Sequence, residues 1–187
     1  YIGGGVADSN GDRFNWGDVG AGQFYKGVEL GVKIAPLTKK ASFSKLLLWH
    51  TDGTKDRQPI NANTGESGWG FAMVAEQELT YDGRLVLVGR YGRSFENAAI
   101  YDQQAGVHLL YYDPFGRFKE DVIGTAFNWV DSTFENTRDE YNWETFYRFP
   151  LLPDVDTTLS YQAILDPAFT TDFDFSSVYS LRMTTSF

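Results

Sequence analysis

The sequence predicts an all-β fold, an antiparallel up-and-down transmembrane β-barrel, on three observations. Apolar and polar side chains alternate along segments of about ten residues, which is the period and length of tilted membrane-spanning strands. Aromatic residues form 17 % of the chain and gather near the segment ends, as interfacial girdles do. No apolar run reaches the roughly 20 residues that a membrane helix needs, so a helical membrane protein is excluded.

The C-terminal segment, residues 177–187, shows the clearest alternation. Its apolar side consists of Tyr179, Leu181, Met183, Thr185 and Phe187. The opposite side is polar apart from Val178. Successive side chains of a strand point to opposite faces, and a membrane barrel combines an apolar outer row with a polar interior. The segment is therefore predicted to be a closing strand.

The same alternation recurs upstream and brings the total to about ten strands. The predicted segments are residues 1–7, 24–35, 45–50, 68–80, 85–92, 105–112, 123–129, 140–149, 159–166 and 177–187. Because short connections join most of them, they predict an antiparallel meander. Segment 45–50 is apolar on both faces, so its side chains cannot be assigned to a face.

Turn residues mark the ends of several segments. Asp82 and Gly83 predict a hairpin, and Pro150 with Pro153 is predicted to end the strand that begins at residue 140. Longer polar stretches predict loops at 8–23, 52–67 and 95–103. No repeat or linker indicates a second domain, so residues 1–187 are predicted to form a single barrel segment.

Four stretches of the sequence resemble the OprB-type carbohydrate-selective porins. They are Gly-Gly-Val-Ala-Asp-Ser-Asn-Gly-Asp at 4–12, Leu-Trp-His-Thr-Asp at 48–52 with Gly-Trp-Gly at 68–70, Glu-Thr-Phe-Tyr-Arg-Phe at 144–149, and Ile-Leu-Asp-Pro-Ala at 164–168 with the terminal Phe187. Their order along the chain matches the family as well. The last two stretches are the more specific.

The resemblance implies a channel of the bacterial outer membrane with about 16 strands and an aqueous lumen. Since this sequence supplies only about ten strands, it is expected to be the C-terminal part of a longer barrel. The resemblance also implies facilitated diffusion of sugars without enzymatic chemistry or a cofactor. The expected partners are mono- or oligosaccharide solutes and outer-membrane lipids, with further copies of the chain as a candidate.

A sugar-selective pore needs groups that bind hydroxyls. Carboxylates accept hydrogen bonds, guanidinium groups donate them in a fixed fork, and aromatic faces cover the apolar side of a pyranose. Opposed rows of acids and bases would also sort solutes by charge. The charged residues that the alternation turns inward are the pore-lining candidates: Glu29, Lys33, Glu76, Arg90, Glu144, Arg148 and Arg182.

Four tryptophans are candidates for sugar stacking. The alternation turns Trp69, Trp129 and Trp143 outward, which favours an interfacial girdle, whereas the direction of Trp49 stays open. Two other functions also remain open: an anchoring outer-membrane barrel without selective transport, and a soluble barrel whose apolar rows point inward around a small ligand. Detergent dependence distinguishes the soluble barrel from the other two.

Other chemistries find little support in the sequence. A net charge of -9 argues against a nucleic-acid partner, because phosphate binding requires clustered Lys and Arg. No nucleophile motif accompanies His50 or His108, so no catalysis is expected. Asp8, Asn10 and Asp12 have calcium-loop spacing but lack the glycine and glutamate of that loop, so no metal is expected.

Overall fold

The chain forms one antiparallel sheet in a computed structural model, in which the described residues are 1–8, 24–33, 42–52, 66–135, 137–152 and 154–185, with 4–8 described by backbone only. The strands are β1 (Ile2–Asp8), β2 (Phe24–Val32), β3 (Ser42–Thr51), β4 (Gly68–Glu78), β5 (Leu85–Ser94), β6 (Tyr101–Tyr112), β7 (Val122–Ser132), β8 (Glu140–Leu152), β9 (Val155–Leu165) and β10 (Phe175–Thr185). The ten strands pair in chain order. The predicted up-and-down meander is thereby confirmed, and within the described ranges no helix is long and apolar enough to cross a membrane.

Several predicted boundaries were wrong. Pro150 does not end β8, which runs on to Leu152 with a register shift between those two residues. A proline is tolerated there because an irregular ladder leaves a backbone position that needs no N–H donor. β6 begins at Tyr101, so the predicted 95–103 loop is shorter, and β9 begins at Val155 instead of residue 159. The predicted loops 8–23 and 52–67 lie almost wholly outside the described residues.

The pairing register shows which side chains share a face, because directly opposed residues of an antiparallel pair point the same way. Val28 on β2 is opposite Leu48, which is opposite Phe71 on β4. The same face continues to Met183 on β10. It exposes a band of apolar side chains, with Val28 45 %, Met73 50 %, Val107 56 %, Phe127 51 % and Leu181 62 % accessible. A contiguous apolar face of this extent suits lipid rather than water, so we call it the outer face.

This register assigns the side chains of segment 45–50, which the sequence left unassigned, to the two faces of the sheet. Leu46 and Leu48 are opposite Leu30 and Val28 and therefore lie on the outer face. Leu47 lies on the inner face, opposite Glu29. The segment is apolar on both sides because an inner-face position also carries a leucine.

The ends of β5, β7 and β9 meet at one end of the sheet, where their connections to the next strands pack together. Ala98 in connection 95–100 and Ala168 in connection 166–174 are 1 % and 3 % exposed. The Thr133 hydroxyl, from connection 133–139, donates to the Ala99 carbonyl at 2.6 Å. Three successive connections therefore form one packed cap at this end, which is also the end of the longest predicted loops.

Arg138 holds two of these connections together. Its Nη1 donates to Asp174 Oδ1 at 2.6 Å and to Asp166 Oδ1 at 3.3 Å. Its Nη2 donates to the backbone carbonyls of Thr170 at 2.9 Å and Phe173 at 2.8 Å. The guanidinium fork suits this arrangement because it presents several donors in a fixed plane.

We expect Arg138→Met to loosen connection 166–174 without opening the sheet. Loss of a charge-assisted hydrogen bond worth about 1.5–3 kcal/mol should raise local opening by roughly tenfold or more. Amide exchange at Thr170 measures the effect. Arg117→Met is the matched control, since Arg117 lies at the opposite end of the sheet over the Phe118 ring. Equal exchange in both variants would contradict the role assigned to Arg138.

Asp52 closes the end of the β2–β3 pair. Its backbone N–H donates to the Phe24 carbonyl at 3.0 Å, and the Phe24 N–H donates back to Asp52 Oδ2 at 3.0 Å. Lys26 Nζ lies 3.0 Å from the same carboxylate oxygen. The Phe24 N–H first, and then Lys26, hold the pKa of Asp52 below its ordinary value.

A group whose pKa is lowered by folding stabilises the fold above its ordinary pKa, and that stability is lost as the pH falls through the lowered value. We therefore expect acidification through this range to release the Phe24 amide, detected as a lower protection factor of Phe24 relative to an unstructured amide at the same pH. In Asp52→Ala, which lacks the acceptor, protection of this amide should already be low at neutral pH, and acid should lower it little further. A wild type and a variant with the same pH profile would refute this assignment.

Candidate pore lining

The inner face carries a row of hydrogen-bonding side chains that crosses the sheet. In register order the row is Glu76, Val88, His108, Ala126, Glu144 and Gln162. Neighbouring strands are about 4.8 Å apart, so Glu76, His108 and Glu144 on alternate strands stand about 10 Å apart, whereas Gln162 is directly opposite Glu144. Because Val88 and Ala126 are apolar, they separate these groups instead of pairing with them. The row offers spaced acceptors and donors along the wall.

A second inner row contains a side-chain bridge. Arg90 on β5 donates from Nη2 to Asn128 Oδ1 on β7 at 2.7 Å. The strand between them, β6, has Gly106 at the intervening position. A Cβ at Gly106 would collide with both Asn128 and Arg90, so the bridge depends on the missing side chain. The guanidinium therefore lies along the wall.

Two other inner-face glycines accommodate large rings in the same way. The Trp49 indole covers Gly70, and the Phe146 ring covers Gly124. In each case the ring occupies the space that a side chain on the neighbouring strand would fill. Glycine in a strand marks such close approach. These rings therefore lie against the wall, over the glycines of the neighbouring strands.

Glu29 forms the ion pair of this face on β2 and β3. Its Oε1 lies 3.4 Å from Lys45 Nζ, and it also accepts a hydrogen bond from the Tyr1 hydroxyl. Lys45 was missed as a candidate because segment 45–50 could not be assigned to a face. Its pairing with Gly31, on the Glu29 side of β2, is the register signal that places it.

Arg148 and Arg182 lie on the inner face near the other end of the sheet. Both are opposite Thr158 on β9, one from each side. Their strands are thus about 10 Å apart, and both side chains are exposed. Lys33 follows the last residue of β2 and has no paired partner in the described sheet.

The register thus places six of the seven predicted candidates on one face, but none of them pairs with another. Acids and bases instead alternate between neighbouring strands. Glu29 is on β2, Lys45 on β3, Glu76 on β4 and Arg90 on β5. By register, however, Glu76 and Glu144 share one inner row, whereas Lys45 and Arg90 share the next.

The outward tryptophans lie on the apolar face, as the alternation predicts. Trp129 Nε1 donates to Asp139 at 3.1 Å, and Trp143 Nε1 donates to the Thr125 hydroxyl at 2.8 Å. Trp69 stacks on Phe95 with ring centroids 4.1 Å apart. A ring in an apolar setting with its N–H satisfied is typical of an interfacial aromatic belt.

The two histidines lie on opposite faces. His50 is on the outer face with Nδ1 3.6 Å from Asp52 Oδ1, and His108 is on the inner face between Val88 and Ala126. Within the described ranges, no three His, Asp or Glu side chains are placed to hold a metal ion. Asn10 and Asp12 of the calcium-like spacing lie outside those ranges.

An apolar outer face, a polar inner face and an antiparallel meander define a membrane-spanning β-barrel of the porin class. The family model described as carbohydrate-selective porin, OprB family, matches residues 10–187. The chain belongs to this family, whose members are porins of the bacterial outer membrane. A location in that membrane leaves the soluble-barrel alternative without support.

One solved structure, a high-pH form of Pseudomonas putida OprB, resembles the whole chain. Its TM-score is 0.77 at 19 % sequence identity, with 100 % of this chain and 55 % of that chain covered. At this identity the likeness shows the fold alone. The chain thus spans about half the length of that protein. No curated protein matches the chain.

We expect Gly106→Ala to displace Arg90 from Asn128 and push its guanidinium toward the interior. Overpacking of this kind costs about 1–3 kcal/mol, and single-channel conductance of the full-length protein should fall because the lumen narrows. Gly89→Ala is the matched control on the same pair of strands, since Gly89 is on the outer face with nothing within 4 Å of an added Cβ. A conductance unchanged in Gly106→Ala would contradict the bridge.

Proposed function

We propose that the complete protein passes mono- or oligosaccharides across the outer membrane by facilitated diffusion through a water-filled barrel. The observation that carries the proposal is the inner face, on which hydroxyl-binding groups continue from strand to strand. Family membership supports the same solute class. The proposal involves neither covalent chemistry nor a cofactor, and membrane lipids contact the outer face.

The candidate pore-lining residues act in this proposal as exchangeable hydrogen-bonding partners. Glu76 and Glu144 accept from sugar hydroxyls, and Arg90, Arg148 and Arg182 donate to them. Glu29 and Lys33 extend the set on β2 and just beyond it. Conduction requires binding that is strong enough to admit a solute and weak enough to release it. Groups distributed over separate strands meet this condition, because each holds a passing ring only briefly.

The ion pair on β2 and β3 supports a neutral solute. Glu29 and Lys45 neutralise each other at 3.4 Å, and the field of such a pair weakens within a few ångströms. A neutral, hydroxyl-rich molecule is little affected by this neutralisation and still finds donors and acceptors at close range.

Planar-bilayer conductance of the full-length protein tests the proposal. We expect glucose or short oligosaccharides to reduce the ionic current in a concentration-dependent way, since a bound sugar excludes ions from the lumen. A current that sugars do not affect would indicate a general diffusion pore. Absence of current would favour the anchoring barrel.

Charge removal tests the residues themselves. Glu144→Ala and Arg148→Ala should each raise the half-blocking sugar concentration by roughly two- to tenfold, the loss expected for an exposed charge-assisted hydrogen bond. Thr145→Val is the matched control, because Thr145 is on the same strand but the outer face. Sugar block and ion preference that stay at wild-type values in both alanine variants would show that these residues do not bind the solute.

A further inference from the structure

A small cavity lies on the inner face near the cap formed by the strand connections. Its volume is about 150 Å³, well above the roughly 10–15 Å³ that one water molecule needs. Trp49 and Gln104 line it, Ala72 and Gly92 are directly opposed within it, and Ile100 contributes from connection 95–100. The cavity thus has a small-residue floor with an aromatic ring and a carboxamide at its sides.

The floor of the cavity is open because the residues that form it, Ala72 and Gly92, are small. Ala72 and Gly92 occupy adjacent positions on β4 and β5, where larger inner-face residues would fill the space. The Gln104 carboxamide reaches back over Gly92, so that its Nε2 would be 3.2 Å from a Cβ placed there. Gln104 is an exposed residue that lines the cavity, so its carboxamide is within reach of a ligand there.

The Trp49 indole, which forms the aromatic side of the cavity, is held flat against the sheet. The Trp49 indole occupies the place of a side chain on Gly70, and the nearly parallel Tyr25 ring has its centroid 6.0 Å away at an interplanar angle of 20°. Both residues are on the inner face, since Trp49 is opposite Gly27, two residues from Tyr25 on the same strand. A ring fixed by packing loses little freedom when a ligand covers it.

We propose that this cavity is a binding subsite for one pyranose ring, with the apolar face of the sugar against Trp49 and its hydroxyls bonded to Gln104. The inference rests on the proposed function and adds a site outside the charged candidates. An indole face suits the C–H side of a pyranose, and a carboxamide both donates to and accepts from hydroxyls.

The position of the subsite indicates that it is a first contact point for a sugar entering from the cap end. It lies one inner row from Arg90, because Gln104 and Gly106 are adjacent inner-face positions of β6 and Gly106 is opposite Arg90. A sugar that enters from the cap end therefore meets the aromatic subsite before the row that contains Arg90. Capture on the indole face orients the ring before it exchanges hydrogen bonds with Arg90.

Glucose block of the full-length channel in planar bilayers tests the subsite. Trp49→Ala and Trp49→Leu should each raise the half-blocking glucose concentration by about two- to tenfold, the range for loss of an aromatic contact. The leucine variant retains an apolar side chain without an aromatic face, which separates stacking from widening of the lumen. Gln104→Leu should also weaken block, because it removes the carboxamide at similar size.

Two residues on the outer face of the sheet, next to the subsite, provide matched controls. Trp69→Phe and Gln103→Leu change residues on the outer face next to the subsite and should leave glucose block unchanged. Far-UV circular dichroism of each variant confirms an intact sheet. If glucose blocks the wild type and both Trp49 variants equally, the subsite is overturned while sugar transport stands. If glucose fails to block the wild type, the proposed function itself fails.

Discussion

Backbone pairing in lipid is the constraint on which this structure depends. A membrane offers no water to the N–H and C=O groups of a spanning strand, and each unpaired group costs several kcal/mol. The chain meets this constraint with ten strands paired in order. A fixed register also fixes the face of every side chain, because a slip of one residue would exchange the two faces. The polar inner wall and the apolar outer wall are thus two results of one pairing scheme.

The same constraint makes the sheet edges informative. β1 and β10 are at the two ends of the strand order, so each has one paired neighbour among the described strands. An open strand edge is not tolerated in hydrocarbon. A conducting barrel therefore needs these edges paired, and the porin that this chain resembles is longer, since the match covers 55 % of it. For this reason transport is a property proposed for the complete protein.

Alternation allowed the sequence to predict the fold and the faces of most strands, because a period of two is specific to half-exposed strands. It could not resolve segment 45–50, where Leu47 places an apolar side chain on the inner face. Lys45 and Trp49 were left unassigned for the same reason. Pro150 misled the prediction, since only the register shows that the ladder is irregular there.

Contacts between distant residues lay beyond any local pattern. Nothing in the sequence around Arg138 indicates that it reaches Asp174, and nothing around Gly106 indicates that Arg90 crosses it to Asn128. Both contacts follow from which strands and connections are neighbours and how far their register is offset. Local patterns therefore predict which residues face the interior, whereas three-dimensional pairing decides which of them meet.

Glycine placement explains how large side chains lie against the inner face of the sheet. Trp49, Phe146 and Arg90 are all on the inner face, and each lies over or across a glycine of a neighbouring strand. A side chain that lies along the wall presents its broad face on the inner side and projects little from the sheet. A side chain that pointed away from the sheet would present only its tip and would project further. Glycine on the adjacent strand therefore helps to determine how far these side chains project from the inner face.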